Sequence, residues 1–252
     1  HQNFDALGLV YADSTWGLRW TSEEHPRSGD PVSEVRWFHA SEHLNVDDLY
    51  AWSERVSSND RIPEILVVDD EHAVVTYRVA RVEPEGMMGG FTETDLEHIA
   101  GLSGSSLDNG GRFIVDTNDW PEERIGVPHP GGRVLDASTN QMIDSHNDAG
   151  RDTVGADILR DLLQRGLHPR PGFKYGTRWR CYDRTLGESH APWLVIHPAE
   201  APQDWRGACL ASRLASGVGK TWLHPLQIDG LWSYLSITRP PADSRWNNPN
   251  RR

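Results

Sequence analysis

The sequence predicts an α+β fold built as a tandem repeat of small mixed α/β domains, and three observations carry that reading. The C-terminal stretch Gly172 to Thr238 runs strand, strand, helix, strand, strand: GFKYGTRWRCYD, APWLVIHP, a helix across Gln203 to Ser216, TWLHPLQ and LWSYLSIT. The same order recurs near the N-terminus, where EVRWFHAS precedes a helical segment from Asn45 to Val56, then ILVVDD and AVVTYRVA. An ungapped shift of 158 residues pairs His39 with His197, Glu42 with Glu200, Arg55 with Arg213, Ser58 with Ser216 and Arg81 with Arg239. The expected elements superpose under the same shift, as they would after an internal duplication.

The elements follow in order along the chain. The stretch Ala73 to Val82 is apolar and β-branched and reads as a strand; it meets a glycine-rich break at Gly86, Met87, Met88, Gly89 and Gly90, a domain boundary. From Thr92 to Ser103 the pattern TETDLEHIAGLS reads as a short helix capped by Thr92. Gly111 to Val115 opens a strand-rich region, punctuated by Gly and Pro, that runs to Asp144. The segment Ala156 to Arg165 (ADILRDLLQR) sets Ile158, Leu159, Leu162 and Leu163 on one helical face and stops at Gly166. The expected domains are a first repeat over 1–85, a small α+β domain over 86–168, a C-terminal domain over 169–239 and a flexible Pro- and Asn-rich tail over 240–252.

Composition narrows the function class. The 252 residues are 37% hydrophobic, an ordinary globular value that excludes global disorder. The longest apolar runs, such as Ile65 to Val68 and Trp193 to Ile196, fall far short of the roughly 18 to 20 residues that cross a bilayer, so no membrane partner is expected and the chain reads as cytoplasmic. It begins at His1 rather than at Met, the mark of a processed or partial product. Cys181 and Cys209 are the only cysteines, too few for a disulfide scaffold or a thiolate zinc site. A net charge of -12 argues against a generic polyanion binder, so any nucleic-acid site must be a local basic patch. Lys174 and Lys220 are the only lysines, all other basic residues being arginine. Together with the acidic excess this reads as a salt-adapted surface, although a GC-rich genome gives the same arginine bias.

Common catalytic motifs are missing: there is no HExxH, Walker loop, GxSxG, or GxGxxG after a strand. Asp144, His146 and Asp148 could in principle hold a cation, but the Ser, Asn and Gly around them read as a solvated loop, so no metal is expected. Gly217 to Lys220 (GVGK) follows a helix rather than a strand and is not a phosphate loop.

Three segments carry a resemblance: GFKYGTRWRCYD, then HAPWLVIHP, then SRLASGVGKTWL. They are similar to the catalytic C-terminal domain of the archaeal tRNA-splicing endonucleases, whose pattern is GFK(F/Y)G-x-x-FR-x-Y, then H-x-x-(Y/W)LV, then RLA-x-x-x-x-K. In that family the Tyr ending the first motif, the His opening the second and the Lys closing the third form a catalytic triad. The resemblance places these on Tyr182, His190 and Lys220. Cutting RNA through its own 2′-hydroxyl needs a base for that hydroxyl, an acid for the leaving 5′-oxygen and a cation for the crowded phosphorane oxygens. The resemblance implies Tyr182 as base, His190 as acid and Lys220 as stabiliser, with no cofactor or metal. The products would be a 2′,3′-cyclic phosphate and a 5′-hydroxyl. A neutral phenol, with an ordinary pKa near 10, is a poor base, so the scheme needs Lys220 or another cation close by.

Further expectations follow from the resemblance. Arg213 matches the Arg of the RLA motif, which in the family contacts a flipped-out bulge base. The other side of that base falls to the last strand, where this chain has Trp232 and Tyr234. Under the repeat shift Lys220 falls on Ile62 and His190 on Val32, and, allowing a gap, the counterpart of Tyr182 is Trp20, so the first copy is endonuclease-like but catalytically degenerate. In two-repeat members an acidic loop of the inactive copy docks into the partner chain of a homodimer; Asp69, Asp70 and Glu71 fit that role, against the alternative of an ordinary hairpin turn. Such members also carry a further small domain before the first copy. The expected function is cleavage of precursor tRNA at a bulge-helix-bulge by a homodimer. The rivals are a non-catalytic RNA-binding scaffold subunit and a metal-dependent nuclease silenced by EDTA.

Overall fold

Short polar side chains fix where the helices begin. Asn45, Thr92, Asp136 and Asp204 each accept a hydrogen bond from the backbone N–H three residues on, satisfying a donor that the first helical turn leaves unpaired. The computed structural model describes residues 9–24, 26–27, 29–115, 118–144 and 153–242. Along the chain these form β1 (Gly17–Arg19), β2 (Ser33–His39), α1 (Val46–Ser57), β3 (Ile62–Val68), β4 (Val74–Val82), α2 (Glu93–Gly101), β5 (Gly104–Ser106), β6 (Arg112–Val115), β7 (Val127–His129) and β8 (Gly132–Leu135). They continue with α3 (Ala137–Ile143), α4 (Thr153–Gln164), β9 (His168–Pro171), β10 (Trp179–Tyr182), β11 (Trp193–Val195), α5 (Trp205–Gly217), β12 (Thr221–Ile228) and β13 (Leu231–Thr238). No helix among the described residues is long and apolar enough to cross a membrane.

The chain divides into two compact units, one of His1–Glu83 with Pro198–Arg252 and the other Pro84–His197. In the first unit six strands lie in the order β1-β2-β3-β4-β13-β12. β2 and β3 are parallel, joined through α1, and the β13–β4 and β12–β13 pairs are antiparallel. Trp52 and Val56 of α1 and Trp205 and Ala208 of α5 are fully buried, as are Ile65, Val79 and Leu235 of the strands. Burial of that apolar area, at roughly 25 cal/mol per Å², is the main force holding the helices to the sheet. The two helix starts, Val46 and Trp205, and the strands that follow, Ile62 and Thr221, are each 159 residues apart.

The second unit holds an antiparallel sheet in the order β5-β6-β8-β7 and the strands β11-β10-β9. Its core includes Ile158, Leu159, Leu162 and Leu163, the face of α4 that the sequence pattern picks out. Two segments differ from the sequence expectation. GFKYGTRWRCYD is not one strand: Phe173–Tyr175 is a 3-10 turn closed by Gly176 in the left-handed region at φ 66°, and only Trp179–Tyr182 is extended. α3 falls within the region read as strand-rich; its sequence ASTNQMI has no apolar period, and Asp136 starts it by capping the Thr139 N–H. His146 and Asp148 of the loop cluster, and 243–252 of the tail, lie outside the described residues.

Candidate functional site

Tyr182 and His190 stand at the two ends of one loop in the second unit. β10 and β11 form an antiparallel ribbon with Cys181 opposite Trp193, so extending the register by one step sets Tyr182 opposite Pro192, two residues from His190. The loop between them is closed by a bridge between Leu186 and Ser189 and by the Glu188 N–H donating to the Thr185 carbonyl at 3.1 Å. The Ser189 hydroxyl donates to Asp183 Oδ1 at 3.1 Å, and the Asp183 carbonyl accepts the Met87 N–H at 2.8 Å. Tyr182 is half-buried and His190 exposed.

Under Tyr182 lies a group of basic side chains that the sequence reading missed. In the antiparallel β9–β10 pair His168 is opposite Tyr182 and Arg170 opposite Arg180, and since successive residues of a strand point to opposite faces, these four share one face. The His168 and Tyr182 rings meet edge to face with centroids 6.5 Å apart, and the Arg180 guanidinium carbon lies 5.7 Å from the Tyr182 ring centre. Arg170 is buried and donates only to carbonyls: Nη1 to Arg124 at 3.2 Å and Gly126 at 2.9 Å, Nη2 to Glu123 at 3.1 Å. Nearby Arg124 pairs with Glu122 at 2.6 Å, and Arg133 pairs with Glu123. Burial, together with the positive charges of Arg170 and Arg124, pushes the His168 imidazole down to about 3, so it is neutral at pH 7. Burial, reinforced by Arg133, lowers Arg170 to about 10. No sequence rule groups these residues, because buried charges are not expected from composition and the partners sit up to 47 residues apart.

Lys220 belongs to the first unit, where its backbone is fixed by the end of α5. The Lys220 N–H reaches back to the Ala215 carbonyl at 2.9 Å, the long bond of a Schellman ending, with Gly219 left-handed at φ 66°. GVGK is therefore a helix terminus. Lys220 is half-buried. Arg213, on the same helix, is exposed and has no ion pair among the described residues. Trp232 is half-buried on β13. Tyr234 is not available as a stacking platform: it is 0% exposed, between Val82 of β4 and Pro225 of β12.

Asp69, Asp70 and Glu71 form the β3–β4 turn. Asp69 Oδ1 accepts the N–H groups of Glu71 at 3.0 Å and Ala73 at 2.8 Å, so that carboxylate shapes the turn itself. Asp70 pairs within the chain, with Arg206 at 3.2 Å and His39 at 3.3 Å. Glu71 is exposed and its carboxylate has no partner among the described residues. Val32 and Ile62 pair backbone to backbone at 3.1 Å, and the Trp20 indole donates to the Gly29 carbonyl at 2.8 Å. Among the described residues no group of three or more His, Cys, Asp or Glu side chains could hold a metal ion.

Comparison with known proteins bears on the same segments. The family model for the tRNA intron endonuclease catalytic C-terminal domain matches residues 156–227, a span that contains Tyr182, His190, Arg213 and Lys220. The chain is 30% identical over 178 residues to a tRNA-splicing endonuclease of Thermoplasma volcanium, covering 68% of this chain and 53% of the relative. It is 27% identical over 193 residues to a tRNA-splicing endonuclease of Picrophilus torridus, covering 77% of this chain and 61% of the relative. A tRNA-splicing endonuclease of Natronomonas pharaonis is 36% identical over 91 residues, 32% of this chain and 27% of the relative. The chain thus spans little more than half the length of the first two relatives. This match, which runs from α4 to β12, together with the similarity to archaeal tRNA-splicing endonucleases, supports the tRNA intron endonuclease family for the chain.

Proposed function

We propose that the chain cleaves precursor tRNA at bulge-helix-bulge exon–intron junctions, without metal, leaving 2′,3′-cyclic phosphate and 5′-hydroxyl ends. One observation carries the reading: the matched span 156–227 contains a Tyr, a His and a Lys at the three motif positions whose chemistry this reaction needs. The Tyr182 phenolate takes the proton of the 2′-hydroxyl, and that oxygen attacks the adjacent phosphorus. The new 2′-O–P bond closes the cyclic phosphate while the P–O5′ bond breaks, and His190 gives its proton to the departing 5′-oxygen. Lys220 offsets the negative charge on the phosphorane oxygens. Arg213, exposed and without an ion pair among the described residues, contacts a flipped base, with Trp232 as the aromatic partner in place of the buried Tyr234.

The domain reading, with 1–85 as a structural repeat, 86–168 as a small α+β domain and 169–239 as the catalytic domain, belongs to the same proposal. The 159-residue spacing of helix and strand starts supports the repeat and refines its register. In that register Arg61, not Ile62, faces the position of Lys220, and its guanidinium is held by the buried Glu34 at 3.0 Å. A cation tied to a carboxylate cannot serve an anionic transition state, which supports a non-catalytic first copy. The proposal extends to a cytoplasmic homodimer in which Glu71 of the acidic turn meets the partner chain.

Cleavage of an end-labelled bulge-helix-bulge RNA in EDTA, at low and molar salt, tests the reading beside His190→Ala. Two cuts leaving cyclic phosphates, lost in the variant, are expected. Binding without cleavage in both salts overturns it in favour of a scaffold subunit.

A further inference from the structure

We propose that the tip of the β9–β10 hairpin holds an unpaired stretch of the substrate RNA, with Phe173 stacking on a base and Lys174 meeting a phosphate. The inference rests on the reading of the chain as an RNA-cleaving enzyme and adds a contact outside the Tyr182–His190 loop. From Pro169 to Tyr182 the hairpin carries four cations, Arg170, Lys174, Arg178 and Arg180, and no carboxylate. The chain as a whole has a net charge of -12, so this segment is the kind of local basic patch that a nucleic-acid site requires. Arg170 does not belong to its outer surface, being buried, bonded to carbonyls and offset in part by Glu123. Lys174 is exposed, and Arg178 and Arg180 are half-buried. The carboxylate that follows the hairpin, Asp183, already takes the Ser189 hydroxyl.

Phe173 is 94% exposed, more than any other large hydrophobic side chain among the described residues. The turn that displays it is tied down. The Tyr175 N–H donates to the Gly172 carbonyl at 2.7 Å and the Gly176 N–H to the Phe173 carbonyl at 3.1 Å. The Gly172 N–H donates to the Arg178 carbonyl at 2.9 Å, and the Thr177 hydroxyl to the Trp179 carbonyl at 3.3 Å. A ring held out into water adds no burial to the fold, and a fixed ring suits a ligand with a flat apolar face. A nucleobase has such a face, and one that is unpaired can be splayed onto an aromatic side chain whatever its identity. Lys174 comes next in the chain, its Nζ 5.9 Å from the Tyr175 ring centre, so a phosphate beside the stacked base finds a cation on the same turn. Register sets the scale. It runs from Trp179 opposite Pro171 to Tyr182 opposite His168, three steps of about 3.3 Å, which places the start of the tip roughly 10 Å along the strand from Tyr182. An RNA strand cut beside Tyr182 reaches the tip within a few nucleotides.

The test uses a bulge-helix-bulge RNA with 2′-deoxyribose at the cut positions, which blocks the attack, and reads its affinity for the full chain in EDTA across a salt series. Phe173→Ala is expected to weaken binding about tenfold at every salt concentration, with the slope of log affinity against log salt unchanged, because stacking releases no counterions. Phe173→Trp, which keeps a stacking ring, retains the wild-type affinity, whereas Phe173→Leu, which keeps only apolar surface, does not. Lys174→Gln weakens binding about threefold at low salt and lowers the slope by about 0.7 to 0.9, the share of one phosphate contact. Both positions are exposed, so all four variants should melt with the wild type. Equal affinity of Phe173→Ala and the wild type overturns the proposal; if that variant has instead lost self-association, the tip is an interface between copies of the chain. Cleavage is scored separately on the all-ribose RNA. A wild type that binds through Phe173 but does not cut leaves the tip contact standing and overturns the cleavage reading alone.

Discussion

Asp183 and Ser189, the immediate neighbours of Tyr182 and His190, are joined side chain to side chain by a 3.1 Å hydrogen bond. The bond ties the end of β10 to the start of the arm leading into β11, so the candidate base and acid hang on a closed loop. A single such bond contributes only on the order of 1 kcal/mol net to folding, but its loss frees both ends of the loop. Ser189→Ala is expected to lower single-turnover cleavage about fivefold, with RNA affinity unchanged. Equal rates in the two proteins would show that the loop does not set the spacing.

Lys220 depends on a backbone conformation. Gly219 precedes it at φ 66°, and a Cβ there meets no atom within 4 Å, so substitution costs backbone strain and not a clash. Gly219→Ala should destabilise the fold by about 1 kcal/mol, because an L-residue resists the left-handed region. It should also reduce cleavage at least tenfold by turning the Lys220 backbone away from its bond to Ala215. Gly219→Asn, which tolerates that region, should recover most of both losses. Thermal melting and cleavage rates on the three proteins check the ordering.

What could be read from sequence was what rests on local rules. Asn45 and Thr92 announce their helices, and the apolar face of Ile158, Leu159, Leu162 and Leu163 announces α4. α3 escaped because it is buried all round, from Ser138 to Ile143, and only Met142 and Ile143 of those six residues are apolar, which leaves no apolar period. β9 escaped because Pro169 and Pro171 read as breakers, and Arg170 between them reads as a surface residue although it is 7% exposed. Tyr182, His190 and Lys220 became visible only through the family motifs. The arginine face beneath Tyr182 is set by cross-strand register, which one strand's sequence does not encode.

His168 makes stability depend on pH. Its imidazole falls from an ordinary 6.5 to about 3 in the fold, first through burial and then through Arg170 and Arg124. The folded state therefore prefers the neutral ring, while the unfolded chain takes up a proton below about 6.5. The stabilisation is complete above that pH and is lost as pH falls toward 3. Between pH 7.5 and pH 5 the wild type should lose about 2 kcal/mol through this residue alone. His168→Gln should show a correspondingly flatter pH dependence in urea unfolding; an equal slope in the two proteins would place the proton uptake elsewhere.

The acidic turn separates three carboxylates by what already holds them. Asp69 is committed to the N–H groups of Glu71 and Ala73, and Asp70 to Arg206 and His39 of its own chain, whereas Glu71 projects from the turn with no partner among the described residues. If the turn docks on a second copy, Glu71 is the charge free to meet a basic pocket there. Glu71→Gln should then weaken the dimer about tenfold, or roughly 1.4 kcal/mol, with little change in the melting of the monomer. Asp70→Asn should weaken it less, since Asp70 already has partners in its own chain, and Asp69→Ala should act mainly by loosening the turn. Sedimentation equilibrium at low salt orders the three variants. Salt should erase the difference between Glu71→Gln and the wild type, because an exposed ion pair is screened over roughly 8 Å at physiological ionic strength and over less at molar salt.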